Sequence, residues 1–119
     1  MENMKILLCD SNLITASKVG SLLRSQGWEV FSASRWNKVK EILDENADVS
    51  IAFVNLEGFG GEEVMENIKK EFPQIKVVAY CGHMNIQLQD KARQLGADMV
   101  VPNSSVASQA HIIAKEVTS

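Results

Sequence analysis

Residues 50–64 read "SIAFVNLEGFGGEEV", an apolar run, a polar break at Asn55, a glycine-rich turn and an acidic helical start. An unbroken apolar run of this kind fits a strand covered on both faces, as in a parallel sheet with helices on either side. The same order of events recurs along the chain. The runs "KILLC", "EVF", "KVVAY" and "DMVV" are each of strand length, and each is followed by a longer stretch of helical periodicity. Helical stripes are carried by Ala16, Val19, Leu22 and Leu23, then by Val39, Ile42 and Leu43, and then by Val64, Met65, Ile68 and Phe72. Met84, Leu88, Ala92 and Leu95 make the fourth stripe, and Val106, Ala110, Ile113 and Val117 the fifth. Gly27 and Gly96 stand where helix ends require a left-handed residue, and Pro73 stops the third helix. Five βα units without linker or repeat predict one doubly wound α/β domain over residues 1–119.

Composition narrows the function. A chain of 119 residues can bury roughly two thirds of its unfolded surface, so neither metal nor disulfide is needed to hold a core. Twelve Lys and Arg against fifteen Asp and Glu give a net charge of −3, with no basic stripe, which argues against nucleic-acid binding. Cys9 and Cys81 form no CxxC pair and no zinc spacing with His. They read as buried thiols in a reducing, cytoplasmic setting. The apolar run in "MENMKILLCD" is too short to span a membrane. His83 and His111 lack a second imidazole at ligand spacing, so both are expected at the surface or in loops and no metal is expected.

In doubly wound sheets the functional groups gather at the carboxyl ends of the strands. That rule selects Cys9, Asp10 and Ser11 from the first strand and Asn55 and Glu57 from the third. Cys81 and His83 follow from the fourth, Asn103 and Ser104 from the fifth. The glycines of "GFGGEEV" follow the third strand rather than the first and lack the G-x-G-x-x-G spacing, so they relax a turn and do not cradle a dinucleotide. No aromatic pair flanks the crevice for a flavin, and "DSN" replaces the D-x-H of cobalamin binders. No cofactor is expected.

From "KILLCDS" through "LLRSQGW", "IAFVNLEG", "KVVAYCGH" and "LGADMVVPN" to the last helix, the chain resembles the receiver domains of two-component response regulators. The resemblance implies a flavodoxin-like sheet of order 2-1-3-4-5. In that family two acids end the first strand and an Asp ends the third. The three hold magnesium, and the third-strand Asp accepts a phosphoryl group whose oxygens are bound by a Thr or Ser after the fourth strand and a Lys after the fifth. Here the acid pair becomes Asp10 and Ser11, the acceptor Asn55, the Thr Cys81 and the Lys Asn103, with Ser104 in place of the usual Pro. Only Asp10 survives. An amide nitrogen is delocalised and its oxygen carries no full charge, so Asn55 is a poor nucleophile, and magnesium would keep one certain carboxylate. Asn55 is instead suited to a hydrogen-bonding node joining Asp10 to the next loop. As substitute acceptors, Asp48 should lie at the opposite end of the sheet and Glu57 beyond the strand tip. In the family strand order, Cys9 and Cys81 are two strands apart, roughly 9 to 10 Å, beyond the about 7 Å that a disulfide allows.

The expected function is a signalling module of two-component or phosphorelay type, not an enzyme, working by protein contact without phosphorylation. Ile86 lies nearly opposite Leu95 in the fourth helix, and Ile112 lies about 120° from the centre of the last stripe. With Val100, where the family often carries a switching aromatic, they mark the side formed by the fourth helix, fifth strand and fifth helix as a partner face or a surface for self-association. The partner expected is a protein or an attached output or kinase domain, with no nucleic acid and no membrane. The alternatives are an active phosphorelay receiver with an unusual acceptor and a small-ligand binder in the strand-end crevice. Trp36, three residues before Val39, is expected to be a half-buried staple rather than an exposed anchor.

Overall fold

In the computed structural model, which describes residues 4–57 and 60–119, strands and helices alternate along the chain. The order is β1 (Lys5–Cys9), α1 (Leu13–Ser25), β2 (Glu29–Ser32), α2 (Trp36–Glu45), β3 (Val49–Asn55), α3 (Gly61–Glu71), β4 (Lys76–Cys81), α4 (Ile86–Gln94), β5 (Met99–Pro102) and α5 (Asn103–Thr118). All strand pairs are parallel, and the sheet order is β2-β1-β3-β4-β5, the flavodoxin-like order expected from the resemblance. The central strands β3 and β4 are buried almost throughout, while the edge strands β2 and β5 are not. The long apolar runs of β3 and β4 follow from that double-sided burial.

Successive side chains on a strand point to opposite faces, and the core divides accordingly. Leu7, Cys9, Ala52, Val54, Val77, Ala79 and Cys81 pack with α2, α3 and α4. Ile6, Leu8, Ile51, Phe53, Val78 and Tyr80 pack with α1 and α5. Continuing the second set by two residues brings Asp10 and Asn55 to the α1/α5 face, at the carboxyl ends of β1 and β3. The register pairs Asn55 with Tyr80 directly. A polar constellation at the strand ends therefore follows from strand parity before any side-chain bond is considered.

The helices follow the expected stripes with one correction. Met84 precedes α4 and is exposed, so the fourth stripe reduces to Leu88, Ala92 and Leu95. A side-chain cap explains the late start: Asn85 accepts from the Leu88 N–H, opening the helix after Met84. Gly27 and Gly96 adopt φ of 93° and 98° just past their helices, the left-handed geometry that the sequence required. Trp36 is half-buried on Phe72 in an edge-to-face contact with centroids 6.5 Å apart. His83 is exposed in the loop after β4. His111 departs from the surface expectation: it is half-buried on α5, where its Nδ1 accepts from the Trp28 indole N–H at 2.9 Å. A large indole buried at the α1–β2 corner needs a partner for its N–H, and α5 supplies it.

Candidate functional site

Asp10 is 6% exposed and Asn55 9% exposed, the two buried polar residues among the described part of the core. The Asp10 carboxylate is enclosed by donors. Tyr80 donates its hydroxyl to Oδ2 at 2.7 Å, while Asn55 Nδ2 and the Asn12 backbone N–H donate to Oδ1 at 3.1 and 2.9 Å. Asn12 in turn caps α1, its side chain accepting from the N–H groups of Ile14 and Thr15. Burial, reinforced by the bond to Asp10, raises the Tyr80 pKa far above the usual phenol value, so the hydroxyl stays a donor.

Asn55 has a second bond on its other side: its Oδ1 accepts from the Glu57 backbone N–H at 2.9 Å. An amide meets both demands, donating a hydrogen bond to one neighbour and accepting one from the other, which an ionised carboxylate cannot do. An aspartate at this position would face Asp10 with a second carboxylate across the 3.1 Å now spanned by a hydrogen bond. Gly61 secures the same strand end. A Cβ there would overlap the Asn55 carbonyl oxygen, so the first turn of α3 can approach β3 only because residue 61 has no side chain.

Beyond Asn55 the Glu57 side chain crosses to the neighbouring strands. Its Oε1 accepts from the Gly82 N–H at 2.9 Å and from Asn103 Nδ2 at 3.2 Å, and its Oε2 from Asn85 Nδ2 at 3.4 Å. Partial burial raises its pKa, but the bonds from Gly82, Asn85 and Asn103 outweigh that and leave it below the ordinary glutamate value. Glu57 with Ser11, Asn12, Thr15, Asn55, Asn103, Ser104 and Ala107 lines an open crevice of ≈ 490 Å³.

Of the residues expected at the site, Ser11, Asn55 and Asn103 line this crevice, and Asp10 lies bonded beneath Asn55. Cys81 does not: it belongs to the opposite core layer, buried among the residues under α2, α3 and α4. Burial and the charge of Glu57 raise its pKa. Cys9 shares that layer, its thiol pushed up to about 12 by burial and by Asp10. Both cysteines are free, with β3 between their strands. Asp48 sits at the far end of the sheet, paired with Lys5 at 2.9 Å. Of the turn "GFGGEEV", Gly58 and Phe59 lie outside the described residues.

The magnesium ion implied by the resemblance needs hard oxygen donors, chiefly carboxylates. Among the three positions that would supply them, only Asp10 is a carboxylate, and both its oxygens already accept hydrogen bonds. Asn55 turns its nitrogen toward Asp10 and its oxygen toward Glu57 N–H. This donor set does not fit the ion. Among the described residues, no three His, Cys, Asp or Glu side chains converge in a group that could hold a metal.

Three features escaped the sequence reading. Tyr80 was legible only as core, although a tyrosine in a buried aliphatic strand signals a polar partner for its hydroxyl. Glu57 is selected by the strand-end rule and excluded only as an acceptor, but the bonds its side chain makes to Gly82, Asn85 and Asn103 carry no signal in the sequence. Leu13 and Ile14, 83% and 82% exposed at the start of α1, are off-stripe apolar residues of the same kind as Ile86 and Ile112. The criterion applied to α4 and α5 would have found them.

A doubly wound parallel sheet of order β2-β1-β3-β4-β5 places the chain among the flavodoxin-like folds. A family model for the response regulator receiver domain matches residues 6–112, and the chain belongs to that family. It is 32% identical over 95 residues to a cyclic di-GMP phosphodiesterase of Thermotoga maritima, a match covering 80% of this chain and 26% of that protein. The chain thus corresponds to only 26% of the relative's length. The crystal structure of the receiver domain of NtrX from Brucella abortus superposes with a TM-score of 0.85 at 23% identity, covering 94% of this chain and 96% of that one. A response regulator from Thermotoga maritima gives 0.83 at 20% identity, with 98% of both chains covered. These two likenesses establish the fold. Among the described residues no helix is long and apolar enough to cross a membrane.

Proposed function

We propose that this receiver domain no longer takes up a phosphoryl group and acts through protein contact alone, as a cytoplasmic module without catalysis of its own. The observation that carries this reading is the orientation of Asn55, at the position of the family's acceptor. Its nitrogen is committed to Asp10 and its oxygen to Glu57 N–H, and an amide so engaged offers neither a nucleophile nor a ligand. Cys81 and Asn103 stand where the family's hydroxyl and amine would bind a phosphoryl group. The pocket of Asp10, Ser11, Asn55 and Asn103, from which Cys81 is turned away, is on this reading a retired one.

The partner face proposed is that of α4, β5 and α5. Ile86 and Ile112 are 64% and 52% exposed. Val100 is half-buried and packs on the layer beneath α2, α3 and α4, so it contributes a flank of the open β5 edge rather than a protruding anchor. Either a separate protein, an attached output or kinase domain, or a second copy would meet this face. Polar replacement of Ile86, Val100 and Ile112 together should abolish partner capture or self-association; unchanged association would remove this face from the proposal.

The phosphorylation half is tested by intact mass after incubation with acetyl phosphate and magnesium, beside the Asn55→Asp variant. No phosphoryl gain is expected in the native chain. A gain would overturn the reading and identify an unusual acceptor.

A further inference from the structure

Glu57 is exposed, yet its carboxylate is held by three donors from two other strand-end connections: the backbone N–H of Gly82, the side-chain amide of Asn85 and the side-chain amide of Asn103. An exposed glutamate ordinarily gains little from fixed partners and keeps its rotamer freedom. Here the backbone beneath it is fixed as well, because Asn55 Oδ1 receives the Glu57 N–H. Gly82 shows how closely the carboxylate sits: a Cβ on residue 82 would lie 3.3 Å from Glu57 Oε2 and 3.6 Å from Oε1.

We propose that Gly82, Asn85 and Asn103 form a small-anion site of carboxylate type, and that Glu57 is its permanent intramolecular ligand, clasping the β4–α4 and β5–α5 connections in one arrangement. The clasp touches all three elements of the proposed partner face. Asn85 is the cap of α4, Gly82 follows β4, and Asn103 joins β5 to α5. Through Asn55 the same chain of bonds runs back to Asp10, so the ends of four strands are tied by one continuous network. An anion that is part of the chain requires no donor, no divalent ion and no covalent step. The proposal rests on the phosphate-independent reading only in what the clasp is for; the site itself stands on geometry.

The test is amide hydrogen exchange at Gly82, followed by heteronuclear NMR of the full chain in the absence of phosphoryl donors. In Glu57→Ala, exchange at Gly82 should rise about tenfold, the size expected for one lost charge-assisted bond. Sodium acetate, but not sodium chloride at equal ionic strength, should return it toward the native rate. Glu57→Gln should fall between, because its amide keeps one acceptor and loses the charge. Exchange at Gly82 unchanged in Glu57→Ala would overturn the clasp, and failure of acetate to restore protection would overturn the anion site. Neither outcome depends on whether acetyl phosphate labels the protein, so the two proposals fail separately.

Discussion

Two acidic residues meet Asn55 from opposite sides, Asp10 through its carboxylate, which accepts from the amide nitrogen, and Glu57 through its backbone N–H, which donates to the amide oxygen. Both carboxylates are fully engaged, but their donors differ in kind. Two of Asp10's three come from side chains of the buried strands β3 and β4, which cannot retreat without opening the core. Those of Glu57 come from connections outside the sheet, which can move while the core stays shut. A hydrogen bond made by core strands contributes to global stability, whereas one made by loops fixes which local arrangement the loops adopt. Asn55 belongs to both systems, which answers why an amide stands at the end of the β3 run.

If the contrast is real, removing Asp10 should have the largest effect. Asp10→Ala strands the Tyr80 hydroxyl and the Asn55 amide in a buried space, each unpaired group costing about 1–3 kcal/mol. The urea midpoint should fall by the equivalent of about 2–6 kcal/mol with the slope unchanged. A drop below about 0.5 kcal/mol, as at an ordinary surface site, would show that Asp10 is no more structural than Glu57.

Tyr80→Phe takes one donor away and leaves two. The expected loss is about 1.5–3 kcal/mol, the range for a hydrogen bond to a charged group, and smaller than for Asp10→Ala because Asn55 and Asn12 still serve the carboxylate. Tyr80 is the only tyrosine in the chain, so an alkaline absorbance titration reads it alone. Its hydroxyl is held above the usual value by burial and by Asp10. The phenolate signal should therefore appear only together with unfolding. A reversible titration near the ordinary tyrosine value in the folded protein would mean that the phenol is open to water and the Asp10 enclosure is absent.

How much of this was legible in the sequence depends on what kind of signal carries each element. The five strands and five helices are encoded by hydrophobic periodicity, a property repeated many times over, so a single misplaced residue such as Met84 does not disturb the reading. The set Asp10, Ser11, Asn55 and Asn103 was legible because chain topology delivers strand ends to one crevice whatever their chemistry. Cys81 was delivered to the strand end but not to the crevice, because its parity turns it to the other face. The Tyr80 hydroxyl and the bonds made by Glu57 are hidden for opposite reasons. Tyr80 looks like a core residue and is one, its polar handle mattering only because Asp10 is two strands away; the Glu57 bonds depend on the reach of a side chain across loops, which no periodicity records. His111 escaped in the same way, its partner Trp28 lying 83 residues away in sequence.

The smallest expected effect is the one that isolates Glu57. Its folded pKa lies below the ordinary value of about 4.3, because the bonds from Gly82, Asn85 and Asn103 outweigh partial burial. A depressed carboxylate pKa gives stability that is fully present above the unfolded value and is lost as pH falls through the folded one. The group is solvent-exposed, so the global midpoint should barely register the change. The Gly82 amide resonance should register it, with a titration step centred below the usual glutamate range. Asp98 offers an internal comparison: its carboxylate accepts from the Val77 N–H at 2.8 Å and pairs with Lys69 at 3.1 Å, and its pKa is also lowered, those bonds outweighing its burial. Both amides should therefore titrate in acid in the native chain, and Glu57→Gln should erase the step at Gly82 while leaving that at Val77. A Gly82 step that survives Glu57→Gln would show that the Gly82 amide does not report the Glu57 carboxylate, and the division between a core-held and a loop-held carboxylate would lose its loop-held half.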